Sequence, residues 1–174
     1  MQVTIILEPP FYFTLRTGFD FRDTLFKFNR ITMELESKKK IGFDVRLQRT
    51  LQVDMALYAL QDGGVEFRRF TDLDNNRVTE TMLTHSPTWR FASAMTHYLS
   101  RHIFVTGGKS QEGSGGPAEL NTCDVYDTRS DIWYEGPRLK HARRNHSSCM
   151  LNHYVYVFFG GTDTIERLNA RRFV

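Results

Sequence analysis

One pattern occurs twice in this chain, as RFASAMTHYLSRHIFVTGG at Arg90–Gly108 and as RRNHSSCMLNHYVYVFFGG at Arg143–Gly161. Each copy begins with an arginine, continues through two short apolar runs and ends with a pair of glycines. A spacing of 53 residues separates both the arginines and the glycine pairs, so the two copies align without a gap. Repetition at such a period predicts a fold built from similar supersecondary units in series.

A second repeated unit follows each glycine pair. The segment TCDVYD at Thr122–Asp127 resembles TIERLN at Thr164–Asn169, and their separation is 42 residues because the loop Lys109–Leu120 is longer than its counterpart Thr162–Asp163. The same template is met at two places upstream, which are Thr24–Asn29 and, more weakly, Glu66–Thr71.

Short apolar runs, rich in aromatic and β-branched residues and separated by Gly, Asp, Asn and Ser, dominate the chain. Aromatic residues make up 13% of it, with 14 Phe and 7 Tyr, and such residues pack well on the pleated surface of a sheet. The pattern predicts an all-β fold of short strands, hence a sandwich, barrel or propeller, and internal repetition favours the propeller. The clearest predicted strands are Phe11–Leu15, Leu25–Phe28, Ala56–Leu60, Ile103–Thr106 and Tyr154–Phe159.

A repeat of about 50 residues with a glycine pair after its second strand resembles the kelch family. The family pattern has an arginine before the hairpin, Tyr-Asp in the third strand and a Trp six residues after that Asp. This sequence supplies the pattern at Arg90, Gly107, Gly108, Tyr126, Asp127 and Trp133, and begins it again at Arg143, Gly160 and Gly161. The resemblance implies a kelch-type β-propeller with about four four-stranded blades.

The resemblance also assigns structural roles to these residues. Tyr126 and Trp133 are expected to pack between neighbouring sheets, where large aromatic rings bury most area. Arg90 and Arg143 are expected to donate to backbone carbonyls near a blade junction. The glycines are expected where the backbone turns with positive φ or where a Cβ would clash.

The resemblance divides the whole chain into four blades. Residues 1–45 and 46–87 are degenerate blades, residues 88–142 a well-formed blade, and residues 143–174 a partial one. Kelch rings usually close with more blades than these, so we expect an incomplete ring and a fragment of a longer protein. The alternative is that Val3–Leu7 supplies the missing strand of the last blade and closes the ring. An open ring would expose a strand edge and predicts self-association.

The function that the resemblance implies is that of a non-catalytic scaffold binding a protein partner. Loops after the second strands gather at one end of a propeller, and loops on a rigid sheet commonly carry binding sites. Here those loops carry a mixture of charges and amides, which favours specificity. The candidate binding residues are Arg22, Asp62, Lys109, Gln111, Glu112 and Asp163.

Two other functions remain open at this point. One is substrate recognition for a cullin-type ubiquitin ligase, in which kelch proteins usually carry a BTB or F-box domain. The other is a propeller enzyme of the sialate-epimerase type, which would need convergent titratable groups in a pocket at the propeller axis. We predict the scaffold and no catalytic residues.

Composition argues against several classes of partner. The net charge is only +3 and the longest basic block is Lys38–Lys40, so we expect no nucleic-acid partner. No apolar stretch approaches the ~20 residues that cross a bilayer, so we expect no membrane partner.

Cys123 and Cys149 fall on different predicted blades, which predicts free thiols and a cytoplasmic location. His97 and His102 flank a predicted turn and could face each other, but without a third ligand we predict no metal and no cofactor.

Overall fold

Sixteen β-strands run through the residues that the computed structural model describes, which are 11–14, 24–29, 32–40, 48–73, 78–111 and 116–173. A 3-10 helix, Ala170–Phe173, follows the last strand. The all-β expectation is thereby confirmed. The strands are β1 Phe11–Thr14, β2 Thr24–Asn29, β3 Glu34–Lys40, β4 Gln48–Val53, β5 Ala56–Gln61, β6 Phe67–Thr71, β7 Thr79–Met82, β8 Ala94–Tyr98, β9 His102–Thr106, β10 Lys109–Ser110, β11 Ala118–Glu119, β12 Cys123–Asp127, β13 Ile132–Glu135, β14 Ser147–Leu151, β15 Tyr154–Phe158 and β16 Ile165–Asn169.

The strands form four antiparallel sheets in chain order. Sheet I is β1–β2–β3, sheet II is β4–β5–β6–β7, sheet III is β8–β9–β12–β13 and sheet IV is β14–β15–β16, while β10 and β11 pair in a small hairpin. The first described strands of successive sheets contact one another, β1 with β4, β4 with β8 and β8 with β14. Sheets that meet along their first strands radiate from a common line, which is the arrangement of propeller blades.

Sheet III is packed on both faces. Side chains alternate between the two faces of a strand, so β9 supplies two cores. Ile103 and Val105 pack toward sheet II, and Phe104 packs toward sheet IV. The partners of the first core in sheet II are Val53, Tyr58, Leu60 and Phe67, and those of the second in sheet IV are Val155, Val157 and Leu168.

Tyr126 and Trp133 lie between sheets II and III, as predicted. The ring of Tyr126 is 1% exposed and meets Phe67 of sheet II edge-on, with 4.9 Å between ring centroids. Trp133 is only partly buried, and the centroids of its ring and the Phe67 ring are 5.1 Å apart. Its indole Nε1 donates a hydrogen bond of 2.8 Å to the carbonyl oxygen of Thr84. The two rings therefore join the sheets by packing and by one polar contact.

The gap-free alignment of the two repeats is wrong by one residue in the second strand. The N–H of Gly107 donates to Thr122 O at 2.9 Å, and the equivalent bond in sheet IV runs from Phe159 N–H to Thr164 O at 3.1 Å. Both residues have a left-handed backbone, with φ of 54° at Gly107 and 57° at Phe159. Phe159 thus occupies the position that the alignment gave to Gly160.

The cause is a shorter hairpin in sheet IV. Tyr98 pairs with His102 in sheet III, whereas Leu151 pairs with Tyr154 in sheet IV, so the second turn has one residue fewer. Gly160 therefore takes the place of Gly108, and Gly161 has no counterpart in the earlier glycine pair. A Cβ at Gly160 would lie 2.5 Å from the Cβ of His146, so the close approach requires glycine there.

The expectation that His97 and His102 could face each other is wrong. Across the turn His97 is paired with Ile103, and His102 is paired with Tyr98. Because successive residues point to opposite faces, the two imidazoles lie on opposite faces of sheet III.

Among the described residues, helical segments lack the length and apolar character that a membrane-spanning helix requires.

Candidate functional site

Arg90 is completely buried in the segment that leads into sheet III. Its Nη1 donates to the carbonyl oxygens of Gly107 at 2.8 Å and Val105 at 3.3 Å. Its Nη2 donates to the carboxylate of Asp124 on the third strand of the same sheet. Burial lowers the pKa of Arg90, and the Asp124 charge opposes that effect. The side chain therefore holds together the second strand, the glycine turn and the third strand.

Arg143 repeats this arrangement in sheet IV with a glutamate as the acid. Its Nη1 donates to the carbonyl oxygens of Phe159 at 2.6 Å and Thr164 at 3.1 Å, and its Nη2 donates to Glu166 Oε1 at 2.5 Å. Burial raises the pKa of Glu166, but hydrogen bonds from the backbone N–H groups of Lys140 and His141 and from Arg143 outweigh it, and the pKa is lowered. The acid is therefore ionised beside its arginine at neutral pH.

The main chain of each arginine also binds the preceding sheet. Gly63 N–H donates to Arg90 O at 2.8 Å, and Gly108 N–H donates to Arg143 O at 2.8 Å. Each arginine thus connects the glycine turn of one sheet, through its backbone, to the strands of the next sheet, through its side chain. We call this repeated arrangement the arginine clamp.

The loops that follow the second strands lie with the links between sheets at one end of the molecule. We call this surface the glycine-loop end and define it by residues 61–64, 89–91, 109–111, 116–120 and 162–163. The bridge between Gly64 and Arg90 and the bridge between Phe91 and Lys109 join its segments. A surface built from loops tied to rigid sheets is suited to binding, because its side chains can vary without disturbing the cores.

Four of the predicted binding residues lie at this end, and Arg22 and Glu112 lie outside the described residues. Gln111 and Asp163 are exposed, and Lys109 is half-buried. Asp62 instead serves the fold, because its Oδ1 accepts hydrogen bonds from Ala92 N–H at 2.7 Å and from Arg49 Nε at 3.3 Å. The Asp62 carboxylate is therefore committed to the contact between sheets II and III.

Two aromatic residues at the glycine-loop end were missed by the sequence reasoning. Trp89 and Phe91 are half-buried, and their rings meet edge-on with 5.8 Å between centroids. The Nζ of Lys109 lies 5.9 Å from the Phe91 ring centroid, within the range of a cation–π contact. We call these three residues the aromatic platform. Their position on either side of the buried Arg90 was the available signal, since neighbours of an inward-pointing residue in extended chain point outward.

An exposed ion pair flanks the aromatic platform. Arg144 Nε lies 3.1 Å from Glu119 Oε1, and both side chains are about two-fifths exposed. The surface that the glycine-loop end presents to a binding partner therefore contains the two aromatic rings, the Lys109 ammonium beside them and the ion pair of Arg144 and Glu119.

His146 lies beneath the glycine turns and is 8% exposed. Its Nε2 is 2.9 Å from Thr106 Oγ1, and a Cβ at Gly107 would lie 2.7 Å from its ring. Burial, assisted by the nearby Arg143, lowers the pKa of His146 to about 4. The imidazole is therefore neutral at pH 7 and acts as a hydrogen-bonded part of the interior.

The opposite end of the molecule has a cavity of about 360 Å³ between sheets II and III. Its carboxylates have partners in the fold: Asp54 accepts from Ser100 Oγ and Asp72 accepts from Thr79 Oγ1, each at 2.7 Å. Within the described ranges, no group of three or more His, Cys, Asp or Glu is placed to hold a metal.

The two cysteines lie on different sheets and in different environments. Cys123 is fully buried on β12, and Cys149 is exposed on β14. Burial raises the pKa of the Cys123 thiol to about 12, so it stays protonated and unreactive at neutral pH.

Comparisons with known proteins give modest but consistent likenesses, although no family model matches the chain. Kelch-like protein 36 of Bos taurus is 26% identical over 106 residues, covering 55% of this chain and 17% of that protein. Kelch domain-containing protein 3 of Rattus norvegicus and of Mus musculus is 29% identical over 105 residues, covering 55% of this chain and 27% of those proteins. The chain thus matches about a quarter or less of the length of these relatives.

A solved structure, titled "Structure of YjhT", resembles this fold with a TM-score of 0.58. The match covers 67% of this chain and 34% of the other, at 16% sequence identity. At that identity the likeness concerns the fold alone. It agrees with the radial arrangement of the sheets over the part of the chain that it covers.

Proposed function

Because this chain is a partial kelch protein whose sheets form part of a β-propeller, we propose that it is a non-catalytic scaffold that binds a protein partner through its glycine-loop end. The observation that carries the proposal is the aromatic platform. Trp89, Phe91 and Lys109 lie at the surface while Arg90 between them is fixed in the interior.

Rigid aromatic side chains supply binding energy at small entropic cost. Tryptophan is enriched among the residues that dominate protein interfaces, where a few anchors carry most of the affinity. The backbone of Phe91 exchanges hydrogen bonds of 3.0 and 2.8 Å with that of Lys109, so the platform is held in place before a partner arrives. Gln111 and Asp163, exposed at the same end, would contribute specificity at its rim.

The contacts of the polar groups in the interior support a non-catalytic role. The buried charges form pairs that hold the glycine turns, and the carboxylates of the cavity at the opposite end accept hydrogen bonds within the fold. A propeller enzyme would instead bring titratable groups together, free to act on a substrate.

Recruitment of substrates to a cullin-type ubiquitin ligase would use the same binding surface, and co-purification of a cullin would assign that role. We also propose a cytoplasmic location, which fractionation tests.

A second interaction is supported by the outer face of sheet IV. On β15, three aromatic side chains point away from the core: Tyr154, Tyr156 and Phe158. The guanidinium carbon of Arg167 lies 4.3 Å from the centroid of the Tyr154 ring. Ile165 beside them is 56% exposed. We propose that this outer face lets the 174-residue chain associate with itself, since contiguous exposed apolar surface favours association.

The binding proposal is tested by affinity capture from the native cell followed by mass spectrometry, comparing the wild type with Trp89→Ala. Tyr134→Ala is the matched control, because Tyr134 is an aromatic residue that is 44% exposed on the outer strand of sheet III. We expect a partner that is captured by the wild type and the control and lost with Trp89→Ala, at unchanged thermal stability. Equal recovery of every captured protein with Trp89→Ala would contradict the assignment of the platform.

A further inference from the structure

The cavity of about 360 Å³ at the end opposite the glycine-loop end is bordered by tight turns of two sheets. Asp54 and Met55 form the turn between β4 and β5, and Asp72 follows β6. Ser100 lies in the turn between β8 and β9. Sheets II and III, which supply the lining, both have all four strands paired within the described residues. The cavity is therefore a feature of the contact between two full blades.

Arg69 of β6 lines this cavity and is half-buried. Its Nε is buried without a hydrogen-bond partner, and no ion pair formed within the described residues includes this side chain. The Nε atoms of Arg90 and Arg143 also lack partners, but each of those side chains pairs with an acid through Nη2. A guanidinium without an acid is suited to bind a carboxylate, whose two oxygens match its planar donors.

Tyr58 provides a second donor beside Arg69. The two residues are paired directly across β5 and β6, so their side chains lie on the same face of sheet II. Tyr58 is 5% exposed although it lines the cavity, and burial raises the pKa of its hydroxyl. The polar neighbour of that hydroxyl is Arg69, which has no acceptor atom. The hydroxyl proton is therefore available to an oxygen atom of a ligand.

Two acids flank these donors on the turns. Asp54 Oδ1 accepts a hydrogen bond from Ser100 Oγ, and Asp72 Oδ2 accepts one from Thr79 Oγ1, each at 2.7 Å. These bonds orient the carboxylates, and a carboxylate can accept several hydrogen bonds, so both can also bind ammonium groups. The charged groups of the lining are these two acids and one arginine. They complement a ligand that carries two ammonium groups and one carboxylate.

We propose that this cavity binds a free amino acid with a basic side chain. The α-carboxylate of the ligand binds Arg69 and the Tyr58 hydroxyl, and its two ammonium groups bind Asp54 and Asp72. The methylene chain between them lies against Met55, which is 44% exposed.

The size and position of the cavity agree with such a ligand. A volume of about 360 Å³ lies at the lower end of the range for ligand pockets, which suits a small molecule. The cavity and the aromatic platform lie at opposite ends of the molecule. Binding of the amino acid therefore neither requires nor excludes a protein partner at the platform.

The probe is L-lysine, titrated into the isotope-labelled full chain and followed by the NMR shifts of the backbone amides. We expect saturable shifts at Met55, Thr71 and Ser100. Asp54→Asn keeps an acceptor for Ser100 Oγ and tolerates the left-handed backbone there, with φ of 50°. It should weaken binding about tenfold or more, because a hydrogen bond between charged groups is lost.

A second variant and a control show whether the lining residues act as proposed. Arg69→Gln should also weaken binding about tenfold or more. The matched control is Asp163→Asn, at an exposed residue of the glycine-loop end, which should bind L-lysine as the wild type does. Thermal unfolding of each variant shows that the fold is kept. If Asp54→Asn or Arg69→Gln keeps the fold and binds with full affinity, the proposal is wrong.

Three analogues test each charged group of the ligand. L-Lysinamide lacks the carboxylate, L-norleucine lacks the side-chain ammonium, and Nα-acetyl-L-lysine lacks the α-ammonium and has the form of the last residue of a peptide. Each should bind about tenfold more weakly than L-lysine or worse. Equal affinity for any analogue, or the lack of saturable shifts with L-lysine, would overturn the proposal.

Discussion

At the scale of single residues, the two aromatic anchors of sheet III do different work. Tyr126 is completely enclosed, and its hydroxyl donates to Asp131 Oδ1 at 2.7 Å. Trp133 is partly exposed and binds the backbone of Thr84. Asp131 also accepts the N–H of Thr84 at 3.0 Å. The link that leaves sheet II is therefore fastened to sheet III at one residue, by both of its backbone groups.

Replacement of Trp133 tests this fastening. Trp133→Ala should lower the free energy of unfolding by about 3 kcal/mol, the lower end for large aromatic truncations because the ring is only partly buried. Trp133→Phe keeps most of the packing and loses the bond to Thr84 O, so it should cost about 1 kcal/mol. Chemical denaturation measures both. A Trp133→Ala protein as stable as the wild type would show that the ring does not join the sheets.

The protonation of His146 should make stability depend on pH. The folded-state pKa of about 4 lies below the unfolded value of about 6.5, so the unfolded chain binds more protons between these values. The contribution of His146 to the free energy of unfolding is therefore fully present above about pH 6.5 and is lost as the pH drops toward 4. This loss lowers the free energy of unfolding by about 2 kcal/mol between pH 7 and pH 5.

Urea unfolding of the wild type and His146→Asn at pH 7 and pH 5 measures this contribution. Burial also lowers the pKa of His97 and His102, so the variant should keep part of the pH dependence. Between pH 7 and pH 5 the free energy of unfolding should fall by about 2 kcal/mol more in the wild type than in the variant. An identical fall in the two proteins would mean that protonation of His146 does not destabilise the folded state.

At the scale of elements, strand identity could be predicted more safely than strand register. Tyr154–Phe158 has a strongly apolar, β-branched and aromatic sequence, so its strand was predicted to within one residue. Its register was not, because two compensating changes, the shorter turn at Asn152 and the extra residue Gly161 after the second strand, leave the total length unchanged. Sequence spacing records only the sum of such changes, whereas hydrogen bonds record each one.

The binding surface shows the same limit. Lys109 and Gln111 were identified because a long loop is visible in a sequence. Trp89 and Phe91 were missed, because nothing in the linear order shows that the link between sheets lies against that loop. Asp62 was misread as a surface group for the related reason that its partner Ala92 is 30 residues away.

Shortening the long loop separates its contribution to binding from its contribution to the fold. Ser110 pairs with Ala118, so replacing residues 111–117 by Asn-Gly should give a tight hairpin and keep β10 and β11. Loop length has little energetic cost, and stability should stay within about 0.5 kcal/mol of the wild type. Capture of the partner should fall sharply, because Gln111 is removed with the rest of the loop.

A Gly-Ser segment of the original length is the control for this replacement. It keeps the loop length and removes the side chains, so it should bind as poorly as the shortened protein. Full capture by either variant, measured by quantitative mass spectrometry, would place the contact elsewhere at the glycine-loop end.

At the scale of the whole molecule, the sheets differ in how many of their faces are covered. Sheet III is covered on both faces, whereas sheet IV buries Val155 and Val157 on one face and exposes Tyr154, Tyr156 and Phe158 in part on the other. The same strand thus presents a core face and a second apolar face. That second face is the feature from which we predict self-association.

Charged substitutions on the outer face should reduce association. Tyr156→Glu/Ile165→Lys should shift a concentration series in sedimentation velocity toward the monomer, because it places charges on the apolar face. Ile132→Lys is the matched control, since Ile132 is 47% exposed on a different strand. A wild type that stays monomeric at high concentration, or variants that associate equally, would remove this face from the proposal.

The arginine clamp has a consequence for how the molecule would bear tension. A load applied to the two ends of the chain passes through Arg90 and Arg143, each of which ties the turn of one sheet to the strands of the next. Rupture of one clamp frees the strands of a single sheet while the neighbouring clamp still holds. Extension should therefore proceed in steps, and the stretch of 53 residues between the two arginines would lengthen by at most about 180 Å when pulled straight.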